Sequence, residues 1–60
     1  MKKIFYSVVG GPSGVCITRG IFDFKRDALE CAGKYETYEI YRFVEIDGKR
    51  VESKIIKEKK

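Results

Sequence analysis

Histidine is absent from this 60-residue chain. With it go the commonest general base, the Ser-His and Cys-His nucleophile pairs and every imidazole metal site. Cysteine is scarce: Cys16 and Cys31 are the only two, they lack CxxC spacing, and two thiols do not complete a structural zinc site. Small secreted folds usually carry a denser cysteine framework, so this usage predicts a reducing compartment and a cytoplasmic protein. Cys31 reads as a small hydrophobe of a helix core, with a bond to Cys16 as the other reading. Long apolar runs are missing as well. Met1-Lys2-Lys3 leads into six mostly apolar residues before Gly10-Gly11-Pro12, too few for a signal-peptide core and far short of the ~20 that span a bilayer. These absences set aside most enzyme mechanisms and predict no catalytic residues, no cofactor, no metal and no membrane partner.

What is present is enough to fold. Hydrophobic residues make up 43% of the chain, aromatics 13% and charged residues 37%, outside the low-hydrophobicity class of disordered chains. The length allows one domain, residues 1–60, with one thin core. A core of that size rarely supplies more than ~3–5 kcal/mol, so a partner that adds buried surface is physically reasonable. The net charge of +4 favours acidic partners mildly. Much of it lies at the ends, in Lys2 and Lys3 and in a basic tail at about 57–60, where Glu58 interrupts the run.

Along the chain, Ile4-Phe5-Tyr6-Ser7-Val8-Val9 has strand composition, and Gly10-Gly11-Pro12-Ser13-Gly14 halts it as a hairpin loop. That loop lacks the Lys-Ser or Lys-Thr step and the following helix of a phosphate-cradling loop. Val15–Thr18 resumes strand composition, and Gly20 marks a bulge, a bend or the strand's end. From Asp23 the period changes, because Phe24, Ala28, Cys31, Ala32 and Tyr35 recur at spacings of three and four and share a helical face. Asp23 is the expected N-cap and Gly33 the expected left-handed C-cap; capping and solvation also account for the Asp23 and Asp27 pair.

The clearest local signal lies between residues 38 and 56. Two β-rich runs flank Asp47-Gly48, the dipeptide that adopts the positive φ angles of a type I′ hairpin. A regular two-residue turn opposes Glu45 to Arg50, Val44 to Val51, Phe43 to Glu52, Tyr41 to Lys54 and Ile40 to Ile55. Ile40, Val44, Ile46, Val51 and Ile55 then share one face. Glu39, Tyr41, Phe43, Glu45, Arg50, Glu52 and Lys54 share the other. The order is β-β-α-β-β: an α+β domain whose four-stranded, mainly antiparallel sheet carries one short helix on one face.

One helix covers one face of such a sheet, so function is expected on the face left over. The candidate binding residues there are Tyr41, Phe43, Arg50 and Lys54, joined by Phe5, Ser7 and Val9 if strand one turns its odd positions outward. Ile4, Tyr6 and Val8 form an equally good core set. Aromatic residues with arginine are the currency of protein interfaces, which predicts a non-enzymatic protein-binding module. The alternative is a small nucleic-acid-binding protein that stacks bases on Tyr41 and Phe43 and contacts phosphates with Arg50 and Lys54. Glu39, Glu45 and Glu52 on the same face count against it. Self-association through this face or an edge strand is a third reading.

Two resemblances add to this. Phe5-Tyr6-Ser7-Val8-Val9 and the Gly14-Val15 step resemble the start of the hybrid-binding domain of eukaryotic-type ribonucleases H. The Thr-Trp step and the basic third strand of that family are missing, so its nucleic-acid contacts are not carried over. The Lys-Lys-Ile-Phe-Tyr-Ser-Val-Val opening and the charged terminal hairpin are similar to those of compact accessory proteins of tailed bacteriophages. That likeness implies a stoichiometric inhibitor or modifier of a host enzyme or defence complex, acting in the host cytoplasm.

Overall fold

All 60 residues are described by a computed structural model. The strand-forming runs give β1 (Lys2–Gly11), β2 (Ile17–Phe22), β3 (Thr37–Ile46) and β4 (Lys49–Lys59), and the stretch of helical period gives α1 (Lys25–Ala32). The strands form one four-stranded sheet in the order β2-β1-β3-β4, antiparallel throughout. The α+β reading and its element order therefore hold. The basic tail does not stand apart, since Lys57 and Lys59 pair with Ile40 and Tyr38 within β4.

The first hairpin turns later than predicted. Gly10 and Gly11 belong to β1, and the Val15 amide donates to the Pro12 carbonyl at 2.9 Å to close the turn. Gly14 takes the third position of that turn with φ 85°, a conformation that favours glycine. Gly10 has a different reason: a Cβ there would lie 2.7 Å from the Thr37 carbonyl oxygen, so β1 and β3 could not approach as they do. Gly20 lies inside β2, beside a shift of register between Val8 and Val9 that leaves Arg19 unpaired. Its side chain is used elsewhere: Nε donates to the Gly10 carbonyl at 2.8 Å, and the guanidinium sits 4.9 Å from the centroid of Tyr35.

Helix α1 begins after Phe24, not after Asp23. Phe24 occupies the N-cap position in extended conformation and no side chain caps the helix. Held outside the helical period, Phe24 is exposed rather than buried. Gly33 is right-handed, with φ −61°, and the chain leaves the helix through two further turn bonds, Lys34 to Cys31 and Tyr35 to Ala32. A left-handed exit is unnecessary when the chain continues to wind before β3. The predicted face is otherwise sound. Ala28 and Ala32 are buried, while Leu29 and Cys31 pack at its margin. Both cysteines are free thiols.

The core fixes the direction of β1. Val8 opposes Ile40 across the β1–β3 pair, both are fully buried, and Ala28 and Ala32 of the helix close over them. Even positions of β1 therefore face the helix and odd positions face away. Tyr6, Phe22, Tyr38 and Ile56 complete the rim. The helix packs on β1, β2 and β3 and does not reach β4.

At the second hairpin, Asp47 and Gly48 have φ 52° and 82°, the pair of positive angles expected of a type I′ turn. Ile46 opposes Lys49, and Glu45 opposes Arg50 as predicted. The register then slips. Val51 is unpaired, Val44 opposes Glu52, Phe43 opposes Ser53, Arg42 opposes Lys54 and Tyr41 opposes Ile55. A second slip leaves Ile56 unpaired and opposes Ile40 to Lys57. The predicted pairings of Val44 with Val51, Phe43 with Glu52, Tyr41 with Lys54 and Ile40 with Ile55 are thus corrected. The cause is positional. β4 is an edge strand with no helix over it, so its apolar pattern specifies register only weakly, and bulges are a common device on exposed edges.

Candidate interaction face

Alternation in β1 and β3 decides what the helix-free face displays. Phe5 opposes Phe43, Ser7 opposes Tyr41, Val9 opposes Glu39 and Lys3 opposes Glu45, all pointing away from the core. The rings meet. Phe5 and Phe43 lie 5.2 Å apart at 32°, and Phe43 and Tyr41 lie 6.1 Å apart at 14°, within the range where aromatic pairs attract beyond their area burial. Two of the three rings carry a cation, and Tyr41 carries none. The Arg50 guanidinium stands 4.3 Å from the Phe43 centroid, and the Lys3 ammonium 5.6 Å from that of Phe5.

Of the four predicted binding residues, the structure brings Tyr41, Phe43 and Arg50 together and separates Lys54 from them. The register slip turns Lys54 to the helix side, opposite Arg42, and Glu52 goes with it, pairing with Arg42 at 3.0 Å. Ile55 arrives in exchange beside Tyr41 and is 44% exposed. On the other edge Ile21 opposes Ser7 and is 66% exposed. The apolar part of the face is therefore wider than the sequence suggested, running from Ile21 across Phe5, Phe43 and Tyr41 to Ile55. Ile55 was invisible to pattern reading, because no residue announces the bulge. Ile21 was passed over because Gly20 read as a bulge, a bend or the strand's end, which left the face of the next residue open.

The polar rim is asymmetric along the strands. Lys3, Glu45 and Arg50 lie at the Asp47-Gly48 end, and Glu39 and Glu58 oppose each other toward the other end. The Tyr41 hydroxyl donates to Glu39 Oε1 at 3.1 Å. This bond, then loss of water around the ring and the carboxylate's negative charge, hold the Tyr41 phenol above its ordinary value of 10.0. At neutral pH it is a donor already committed.

A cleft of about 350 Å³ adjoins this face at Val9 and Glu39, where the β1–β2 loop meets the start of β3 and the end of β4. Cys16 and Glu39 are the only thiol and carboxylate on its walls. No three thiol or carboxylate side chains converge on a point where they could share a metal ion. No helix is long and apolar enough to cross a membrane.

Comparison with protein-family models, curated proteins and solved structures finds no match for this chain.

Proposed function

We propose that this chain is a non-enzymatic protein-binding module whose working surface is the helix-free face of the sheet. The observation that carries this reading is the aromatic cluster Phe5, Phe43 and Tyr41, packed on itself, flanked by Ile21 and Ile55 and capped by Arg50. Self-packed rings lose little side-chain freedom on binding, and aromatic residues with arginine are the types that dominate interface hot spots. Such a module acts by occupying its partner stoichiometrically. The likeness to phage accessory proteins supports the finer reading, an inhibitor or modifier of a host enzyme or defence complex.

The face does not favour nucleic acid, because Glu39, Glu45 and Glu58 share it with only Lys3 and Arg50 among the paired strand positions, and Lys60 beyond β4 is drawn to Glu58 at 3.9 Å. Affinity capture with the wild type and with a Tyr41→Ala/Phe43→Ala variant tests the proposal. Partners recovered by the wild type and lost by the variant support it, and identical partner lists from two folded proteins refute it.

A further inference from the structure

The slip in β4 has a second effect, on the side of the sheet that holds the helix. Alternation there places Lys2, Arg42, Lys49, Lys54, Lys57 and Lys59 on the helix side of the sheet, with Glu52 as the one carboxylate among these β-strand positions. Glu52 is already held by Arg42. Because the helix does not reach β4, these side chains form an open shelf alongside it, and those of β4 are exposed. The two faces thus differ in charge as well as apolarity.

Neighbouring cations on one side of a strand stand about 7 Å apart, inside the ~10 Å screening length of a dilute salt solution. They repel one another with little to offset them. Charged side chains on an edge strand also hinder unwanted strand pairing, but that role is served by charge on either face. It leaves the one-sidedness unexplained. A polyanion laid along the shelf removes the repulsion.

We infer that the shelf beside the helix binds the phosphate backbone of a nucleic-acid duplex without reading its sequence. Acidic protein is the weaker fit. Lysine is depleted at protein interfaces, which need an apolar anchor, and among the paired residues of the shelf Ile46 alone is an exposed large hydrophobic residue, with the unpaired Val51 at the bulge beside it. Base stacking is not available either, since Tyr6 and Tyr38 are packed against the core. What remains is a row of ammonium groups along most of a molecule 37 Å in its longest dimension. Ten base pairs of duplex span ~34 Å.

The test is anisotropy titration of labelled duplexes of unrelated sequence over a range of sodium chloride concentrations. Engaging four phosphates predicts a slope of log K against log salt of about −3.6. At the lowest salt, Lys54→Gln/Lys57→Gln should weaken binding at least ten-fold. Lys3→Gln/Arg50→Gln, which removes the same charge from the opposite face, should change it less than two-fold. Lys49→Gln/Lys59→Gln provides a second shelf variant should the first fail to fold. Absence of salt-dependent binding overturns the inference, as does equal loss from the two faces. Polyglutamate bound as tightly as duplex assigns the shelf to acidic proteins and also overturns it.

Discussion

On the helix side of the sheet Val8 and Ile40 lie against Ala28 and Ala32 with no exposed surface, whereas on the other side Phe5, Phe43 and Tyr41 pack on one another and stay partly exposed. Both groups are apolar and both sit at the centre of the same strands. What differs is the cover. Burial of the first group is completed by the chain itself, so its stabilisation belongs to folding. Burial of the second is incomplete, so much of what its apolar surface can contribute is still available to a partner. A hydrophobic residue thus joins the closed core or the open face according to which side of β3 it leaves from.

The largest expected effect is on the closed side. Ile40→Ala removes a fully buried side chain, a change that typically costs about 2–5 kcal/mol in a domain whose whole stability is of that order. The variant should be largely unfolded at room temperature by circular dichroism. Phe43→Ala is the matching change on the open side. It forfeits ring contacts worth about 0.5–1.5 kcal/mol per pair, so it should stay folded, with a lower midpoint in urea, while losing partner capture. Should Phe43→Ala unfold the protein as Ile40→Ala does, the contrast fails and the cluster is a second core.

The smallest effect is a refinement of the open side. With its phenol held above the usual value, Tyr41 should ionise only above pH 10.0 in an ultraviolet pH titration. The neutral phenol is the form favoured in the fold. Its stabilising bond to Glu39 is therefore complete below pH 10.0 and is lost as pH rises through the raised value. Glu39→Gln should bring the Tyr41 transition down toward its ordinary value, and an unchanged curve would mean that the carboxylate is not what holds the phenol.

Much of this was legible beforehand, for reasons tied to particular residues. Asp47-Gly48 is a two-residue instruction with one geometric solution, which is why the hairpin, its first pairs and the place of Arg50 followed from sequence. The spacing of Ala28 and Ala32 placed the helix face. Strand one was ambiguous because Ile4-Tyr6-Val8 and Phe5-Ser7-Val9 are equally apolar alternations; only the pairing of Val8 with Ile40 under the helix separates them. Asp23 failed as a cap because Phe24 stays extended, and one residue of delay moves a side chain out of the periodic set. Lys54 was misplaced because the bulge at Val51 depends on the strand's position at the sheet edge, which is tertiary information.

The two unpaired residues of β4 can be read as parity operations. Each reverses the rule that assigns side chains to faces, and two reversals cancel, so Arg50 before the first and Lys57 after the second stand on the faces an uninterrupted hairpin would give them, although Lys57 opposes Ile40 in place of Tyr38. Only the interval Glu52-Ser53-Lys54-Ile55 is inverted. That interval exports a carboxylate and an ammonium from the aromatic face and imports an isoleucine. Two residues added to one edge strand thus sort oil from charge across the sheet while leaving the faces at both ends of the hairpin unchanged.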